Sequence, residues 1–292
     1  MDKAPEALQR MLQRYDLASL ADQKNAIKEI VQEIALLGLW RAKFFEKAAF
    51  YGGTALRILH QLDRFSEDLD FTLLKPDQNF DLGRYENAIE EELQSLGFHT
   101  SVEKKRKTKQ SAIDSAFIKF NTIEHLLLIG ISEGLYKDVH PEEVMKIRLE
   151  VDTDPPSDDA VTENILLLLP SPFSVKTLRI EDLFAGKLHA VLCREWKGRV
   201  KGRDWYDLIW FVAREIPANL HYLEQRMRQS GYWEGERPLS YQELQELLKQ
   251  KIENLDISSA KEDMAYFLKD PSQLDLWSKK FFFQIATRIR IL

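Results

Sequence analysis

The sequence predicts an α+β protein: a mixed β-sheet domain with flanking helices, followed by a helical C-terminal domain. Three observations lead there. Up to about residue 170, stretches with strand alternation are interspersed with stretches of helical spacing, as expected where strands share one sheet with helices packed on it. From about Val175 the apolar spacing is helical. Between them lies PPSDDAVTENILLLLPSPFS, rich in Pro, Ser and acids, which reads as a boundary loop. The expected organisation is a helical segment over 1–46 packing on the sheet, a core domain over 47–170, and a helical domain over 171–292.

The elements follow in order. Ile27, Ile30, Val31, Ile34 and Leu37 have the spacing of a helix with one buried face. KAAFYGG, TALRILHQL and DLDFTLL then read as strand, tight turn, helix and strand. LGRYENAIEEELQSLGF has the pattern of an amphipathic helix closed at Gly97. HTSVEKKRK and AFIKFNTIEHLLLIGI read as two strands joined by a basic connection, and MKIRLEVDTDPP as a strand stopped by two prolines. The helices expected after them are RIEDLFAGKLHAVLCREW, GRDWYDLIWFVARE, NLHYLEQRMRQSG, SYQELQELLKQKIENL and QLDLWSKKFFFQIATRIRIL. Ser240 and Glu243 have capping-box spacing at the head of the fourth.

Composition narrows the function classes. With 292 residues, 44% hydrophobic and 30% charged, the chain can bury a sizeable core. A net charge of −6 argues against a surface that grips nucleic acid everywhere, while allowing a local basic patch. The single cysteine, Cys193, lies in the apolar run LHAVLC and can form no internal disulfide, which suits a reducing compartment. No apolar run is long enough to span a bilayer, and MDKAPEALQR does not look like a secretory signal. A cytoplasmic protein with no membrane partner is expected.

The chemistry concentrates in FYGGTALRILHQLDRFSEDLDF. Successive side chains of a strand point to opposite faces, so Asp68 and Asp70 project together while Leu69 faces the core. Adjacent carboxylates repel, and a divalent cation such as Mg²⁺ or Mn²⁺ relieves the repulsion. The strand KIRLEVD offers Glu150 and Asp152, again on one face, as further metal ligands or as a base. Gly52, Gly53 and Thr54 end a strand and open a helix, where unpaired N–H groups and the helix dipole favour an anion such as a triphosphate.

GGTAL, RFSEDLDF, KIRLEVDTDPP, LFAGKLHAVL and KGRDWYDL, in this order from about Tyr51 to Phe211, resemble the AbiEii/AbiGii family of nucleotidyltransferase toxins. The resemblance implies the DNA polymerase β-like nucleotidyltransferase fold for the core domain. It also implies transfer of a nucleoside monophosphate from a nucleoside triphosphate (NTP) to an acceptor, with Mg²⁺. Some members of the family use tRNA as acceptor, and the toxin acts beside an antitoxin, often a transcriptional regulator, in toxin–antitoxin or abortive-infection systems. By resemblance, Gly53 belongs to the triphosphate-binding turn, Ser66 and Asp68 match an S-x-D motif, and Asp70 completes the metal pair. Lys187 matches an essential lysine that would meet the phosphates, and Asp204 and Asp207 match the last acidic motif. The interval before that motif, REWKGRVKGRD, is longer than is usual in the family, and which of the two aspartates faces the nucleotide stays open.

The residues themselves add two observations. Lys187 falls four positions after Leu183, on the apolar side of its helix, where a lysine needs an anion. Arg194, Lys197, Arg199, Lys201 and Arg203, near Trp196 and Trp205, suit a phosphate backbone with stacked bases, and Lys104, Lys105, Arg106, Lys107 and Lys109 form a second basic cluster. A metal-dependent nucleotidyltransferase acting on RNA is the expectation. The alternatives are a small-molecule nucleotidyltransferase of the same fold and a nucleotide-binding module that works through a protein partner.

Overall fold

The computed structural model describes residues 5–105, 112–131, 136–156, 160–194 and 200–292. The chain folds into two compact units. The first contains 1–59, 66–155 and 163–177, and the second contains 60–65, 156–162 and 178–292.

The first unit is built on a seven-stranded sheet. Its strands are β1 (Ala48–Tyr51), β2 (Leu69–Leu73), β3 (Thr100–Lys104), β4 (Ile113–Asn121), β5 (Val144–Asp152), β6 (Thr162–Leu167) and β7 (Phe173–Leu178), in the order β3-β4-β5-β2-β1-β7-β6. The sheet is mixed: β1 runs antiparallel to β2, while β2 with β5 and β1 with β7 are parallel. Helices α1 (Glu6–Leu12), α2 (Leu20–Arg41), α3 (Gly52–His60), α4 (Glu86–Ser95) and α5 (Thr122–Leu128) belong to the same part of the chain. Phe50, Phe71 and Phe44 meet edge-on or tilted at 4.9–5.2 Å in its core.

Helix α2 is wider in its apolar coverage than a surface helix: Ile27, Ile30, Val31, Ile34 and Ala35 are all fully buried. Burial on this scale brings polar side chains inside, and they find partners there. Both carboxylate oxygens of Glu33 accept from Arg14 Nη2, at 2.8 and 2.9 Å, and Glu29 accepts from Arg57 of α3 at 2.8 Å and from Tyr15 at 2.9 Å. Gln32 donates to the carbonyl of Ser66 at 3.1 Å, and Lys28 pairs with Glu67 at 3.0 Å. Helix α2 thus props the segment that leads into β2.

The second unit is mainly helical: α6 (Ile180–Cys193), α7 (Gly202–Ala213), α8 (Leu220–Gln229), α9 (Tyr241–Glu253), α10 (Ile257–Ala265) and α11 (Lys279–Ala286), with a two-stranded ribbon of β8 (Pro217–Ala218) and β9 (Arg290–Ile291). Phe184 of α6 stacks on Phe211 of α7 at 4.4 Å with the rings nearly parallel. A Cβ on Gly202 would come within 2.0 Å of the Ala260 carbonyl oxygen, so α7 begins where only glycine lets α10 approach. The capping box at Ser240 and Glu243 is formed, with Ser240 Oγ accepting from the Glu243 N–H.

Three expectations about elements change, the first being that QLDLWSKKFFFQIATRIRIL is not one helix but a 3-10 turn over Pro271–Leu276, helix α11 and strand β9. The stretch PPSDDAVTENILLLLPSPFS is not all loop, because its residues 162–167 form β6 and 173–174 begin β7. Its leucines alternate: Leu167 packs against the core, whereas Leu166 and Leu168 are 62% and 65% exposed on the outermost strand. The stretch AFIKFNTIEHLLLIGI is a strand only to Asn121, whose side chain accepts from the Glu124 N–H and starts α5. A short apolar run carries no period that separates strand from helix, and the cap decides.

Candidate nucleotidyl-transfer site

In the first unit the acids are arranged by register. Asp70 of β2 lies level with Glu150 of β5, and Thr72 with Asp152, so these four residues share one face while Leu69, Phe71, Leu149 and Val151 fill the other. Asp68 precedes β2 in the same alternation. The side chains of Asp68 and Glu150 are 38% and 30% exposed, enough to meet a ligand. Asp152 is different: it is 7% exposed and accepts the Asp154 N–H at 3.1 Å, so it closes the end of its strand.

The glycine turn and the acids are in direct contact. Tyr51 pairs with Asp70 across the β1–β2 ladder, and the chain then turns at Gly52 with φ +84°. A Cβ there would lie 2.5 Å from Asp70 Oδ2. Glycine is therefore required twice, for its left-handed backbone and for the space the carboxylate takes. Thr54 is fully buried, and its hydroxyl donates to the Asp68 carbonyl, tying the first turn of α3 to the acidic segment. Gly53, also buried, sits between them. Ser66 accepts from Gln32 through its carbonyl.

Arg148 lies on this face beside the acids. Its guanidinium lies 3.0 Å from Glu150 and 3.5 Å from Asp68. Partial burial works against its charge, and Asp68, Glu150 and Asp70 together outweigh that and hold it firmly protonated. Among the described residues no group of three or more His, Cys, Asp or Glu side chains is arranged to hold a metal ion. Asp68 and Asp70 nonetheless offer the two hard oxygen donors that Mg²⁺ or Mn²⁺ commonly takes from a protein, the rest of its shell coming from phosphate and water. The space beside Gly52, kept free of a Cβ and given to Asp70, fits that use.

The second unit contains its own charged cluster. Lys187 of α6 reaches Asp207 of α7 at 2.6 Å and Asp204 at 3.6 Å. Arg64 grips both carboxylate oxygens of Asp207 through Nε and Nη2, at 2.6 and 2.7 Å. Asp207 is fully buried, Arg64 is 2% exposed and Lys187 13%. Burial would push the Asp207 carboxyl up, but Arg64 and Lys187 override it and hold it below the usual carboxylate range. Asp63 accepts from the Tyr206 hydroxyl at 2.8 Å, a second tie between the 60–65 segment and α7. The lysine expected to need an anion has two.

Residues 34–283 match the protein family described as nucleotidyl transferase AbiEii toxin, type IV TA system. The chain belongs to the AbiEii family. It is thus a nucleotidyltransferase-family toxin of a type IV toxin–antitoxin system, and an AbiEii toxin implies a cognate antitoxin. Two solved structures from Helicobacter pylori are similar to this AbiEii chain. JHP933 is 20% identical, with 89% of each chain covered and a TM-score of 0.47. A protein named "putative nucleotidyltransferase" is 20% identical, with 88% of this chain and 90% of the other covered and a TM-score of 0.48. No curated protein matches the chain.

The sequence alone gives no part to Arg148 or Arg64. Arg148 was legible as a basic residue two positions before Glu150, hence on the same strand face. Arg64 stands in the stretch DRFSED, but only the fold places it against Asp207, 143 residues away. Of the first basic cluster, Trp196, Lys197 and Arg199 lie outside the described residues, as do Arg106, Lys107 and Lys109 of the second.

Proposed function

We propose that this AbiEii protein is a divalent-metal-dependent nucleotidyltransferase of the EC 2.7.7 class, transferring a nucleoside monophosphate from an NTP to a hydroxyl of RNA, tRNA included. The observation that carries the reading is the contact of Asp70 with Gly52 on a face shared with Asp68 and Glu150. A phosphate-approach turn and a carboxylate pair are there one feature. The substrates are cytoplasmic, which puts the reaction in the cytoplasm. None of the described helices is long and apolar enough to cross a membrane.

In this reading Asp68 and Asp70 hold Mg²⁺ or Mn²⁺, which when bound offsets the charge of the triphosphate. The N–H groups at Gly53 and Thr54 orient the phosphates. Glu150, more open than Asp152, accepts the proton of the acceptor hydroxyl as its oxygen bonds to the α-phosphorus, and the bond from that phosphorus to the bridging oxygen breaks, releasing pyrophosphate. Arg148 keeps Glu150 and Asp68 in place between turnovers. Lys187 matches the essential lysine of the family, and within the second unit Asp204 and Asp207 fix its position.

The test is incubation with each labelled NTP, Mg²⁺ and total RNA, for the native chain and for Asp68→Asn. Label should enter RNA and fall at least 100-fold in the variant, with the circular dichroism spectrum unchanged. Equal incorporation by the two proteins overturns the assignment, and label appearing in a small molecule or in protein overturns the RNA acceptor.

A further inference from the structure

At the C-terminal end of α2, an aromatic ring and three cations gather around one cleft of about 600 Å³ in the first unit. Trp40 and Arg41 come from the last turn of the helix, Lys43 from the turn that follows it, and Lys176 from β7. Trp40 is 41% exposed, although its ring leans on Phe173 at 6.3 Å. Ser174, on the same side of β7 as Lys176, and Asn164 of β6 add uncharged polar groups.

The cations are lightly held. Lys176 makes no ion pair among the described residues. Lys43 reaches Glu46, the acid of the described lining, only at 4.0 Å, with the two side chains 76% and 70% exposed, so water and salt screen the pair. Arg41 pairs with Glu92 at 2.9 Å and still leaves more than half of its side chain open. Lys43 also stands where the backbone favours glycine: it follows the cap of α2 with φ +60°, a left-handed conformation that strains a residue with a Cβ. What a lysine brings to that position, and glycine would not, is an ammonium at the cleft.

We infer that this cleft is a second contact for the RNA acceptor, in which Trp40 stacks on a base of a single-stranded segment while Lys43, Lys176 and Arg41 take its phosphates. The inference rests on the RNA acceptor proposed above. A stacking ring beside a cationic track is the combination by which proteins hold single strands without reading their sequence. On a chain of net charge −6, such a contact has to be local, and this cleft is a local concentration of cations. Its position separates a polymer from an NTP. The 3-10 turn Phe44–Glu46 leads into β1 at Ala48, and β1 ends at Tyr51 beside Gly52. The cleft and the glycine turn thus flank opposite ends of β1, about 13 Å of strand apart. An NTP at the glycine turn spends its phosphates there, whereas a strand carries a phosphate at every nucleotide and can engage both places.

Fluorescence anisotropy of a short fluorescein-labelled single-stranded RNA, titrated with the whole chain in EDTA, tests the contact. The variants are Trp40→Ala, Lys43→Gly, Lys176→Gln and Lys176→Glu, with Lys249→Gln, exposed on α9, as a matched loss of charge. The Kd should rise at least about fivefold in Trp40→Ala and about tenfold in Lys176→Glu, several-fold in Lys43→Gly and Lys176→Gln, and less than twofold in Lys249→Gln. The slope of log affinity against log salt should shrink by about 0.7 in Lys176→Gln, the share of one phosphate contact. Lys43→Gly relaxes its turn, so its melting temperature should not fall, which separates lost binding from lost folding. Equal affinity in all the variants, or a native chain that does not bind the RNA, overturns the inference. A changed oligomeric state in Trp40→Ala or Lys176→Glu on size exclusion, with RNA affinity intact, assigns the face to a protein contact and overturns it too. The labelled-NTP assay keeps the two readings apart. RNA left unlabelled while its Kd still depends on Trp40 and Lys176 is a failure of the transfer reading, and labelled RNA whose Kd ignores both is a failure of this one.

Discussion

At the scale of single residues, two positions carry consequences out of proportion to their size. Gly52 has no room for a methyl group and a backbone that a side chain strains. Gly52→Ala should cost about 1–2 kcal/mol in backbone strain alone. It should also move Asp70, lowering transfer far more than the stability loss explains, as a melting curve and the labelled-NTP assay would show together. Arg64 is the second position. Its removal leaves Asp207 buried with one partner instead of two, and breaking a buried pair costs about 3–5 kcal/mol. Arg64→Ala should therefore lower the denaturant midpoint sharply, and Arg64→Lys, which keeps the charge but loses the fork, should fall between. A midpoint unchanged in Arg64→Ala would mean the pair is dispensable. The carboxylate pair was legible in the sequence because strand alternation is local. Its counter-ions were not, because Arg64 meets its acid only after folding and Arg148 looked like an ordinary alternating surface residue.

At the scale of elements, α6 is the most burdened helix. It carries Lys187 on one side and His189 on another, where the imidazole makes a 2.9 Å hydrogen bond with Ser230. Burial first, then Arg226 and Arg194, push this histidine from 6.5 down to about 4. With the folded value depressed, its contribution to stability is complete above pH 6.5 and is lost as the pH falls toward about 4. The melting temperature should decline over that window, and His189→Gln should flatten part of the decline. An identical acid limb in the variant would assign the decline to other groups. Elements also mark where sequence reasoning stopped. The long α2 and the capped α9 announce themselves by period and cap, whereas β6 and β7 hide in a Pro-rich, acid-rich stretch that has the composition of a linker. Composition describes solvent exposure, and an edge strand is half exposed by construction. Helix α5 was missed for the opposite reason, since EHLLL suits either period and only the Asn121 cap distinguishes them.

At the scale of the whole molecule, the mixed sheet and the helical C-terminal part were legible from the order of patterns, and the family followed from five motifs in sequence. The family match begins at residue 34, yet the folded first unit does not. Lys28 and Gln32, which hold the Glu67 side chain and the Ser66 carbonyl, and Glu29, which holds Arg57, all precede that point. A protein shortened to begin at residue 34 would keep every acid and glycine of the candidate site and lose the N-terminal two-thirds of α2, with the side chains that set their posture. We expect it to accumulate as an insoluble or protease-sensitive chain, readable by limited trypsin digestion against the full-length protein. The span over which relatives resemble one another is therefore shorter than the span that folds, and anyone trimming this toxin for expression should cut by burial and leave the first thirty-three residues in place.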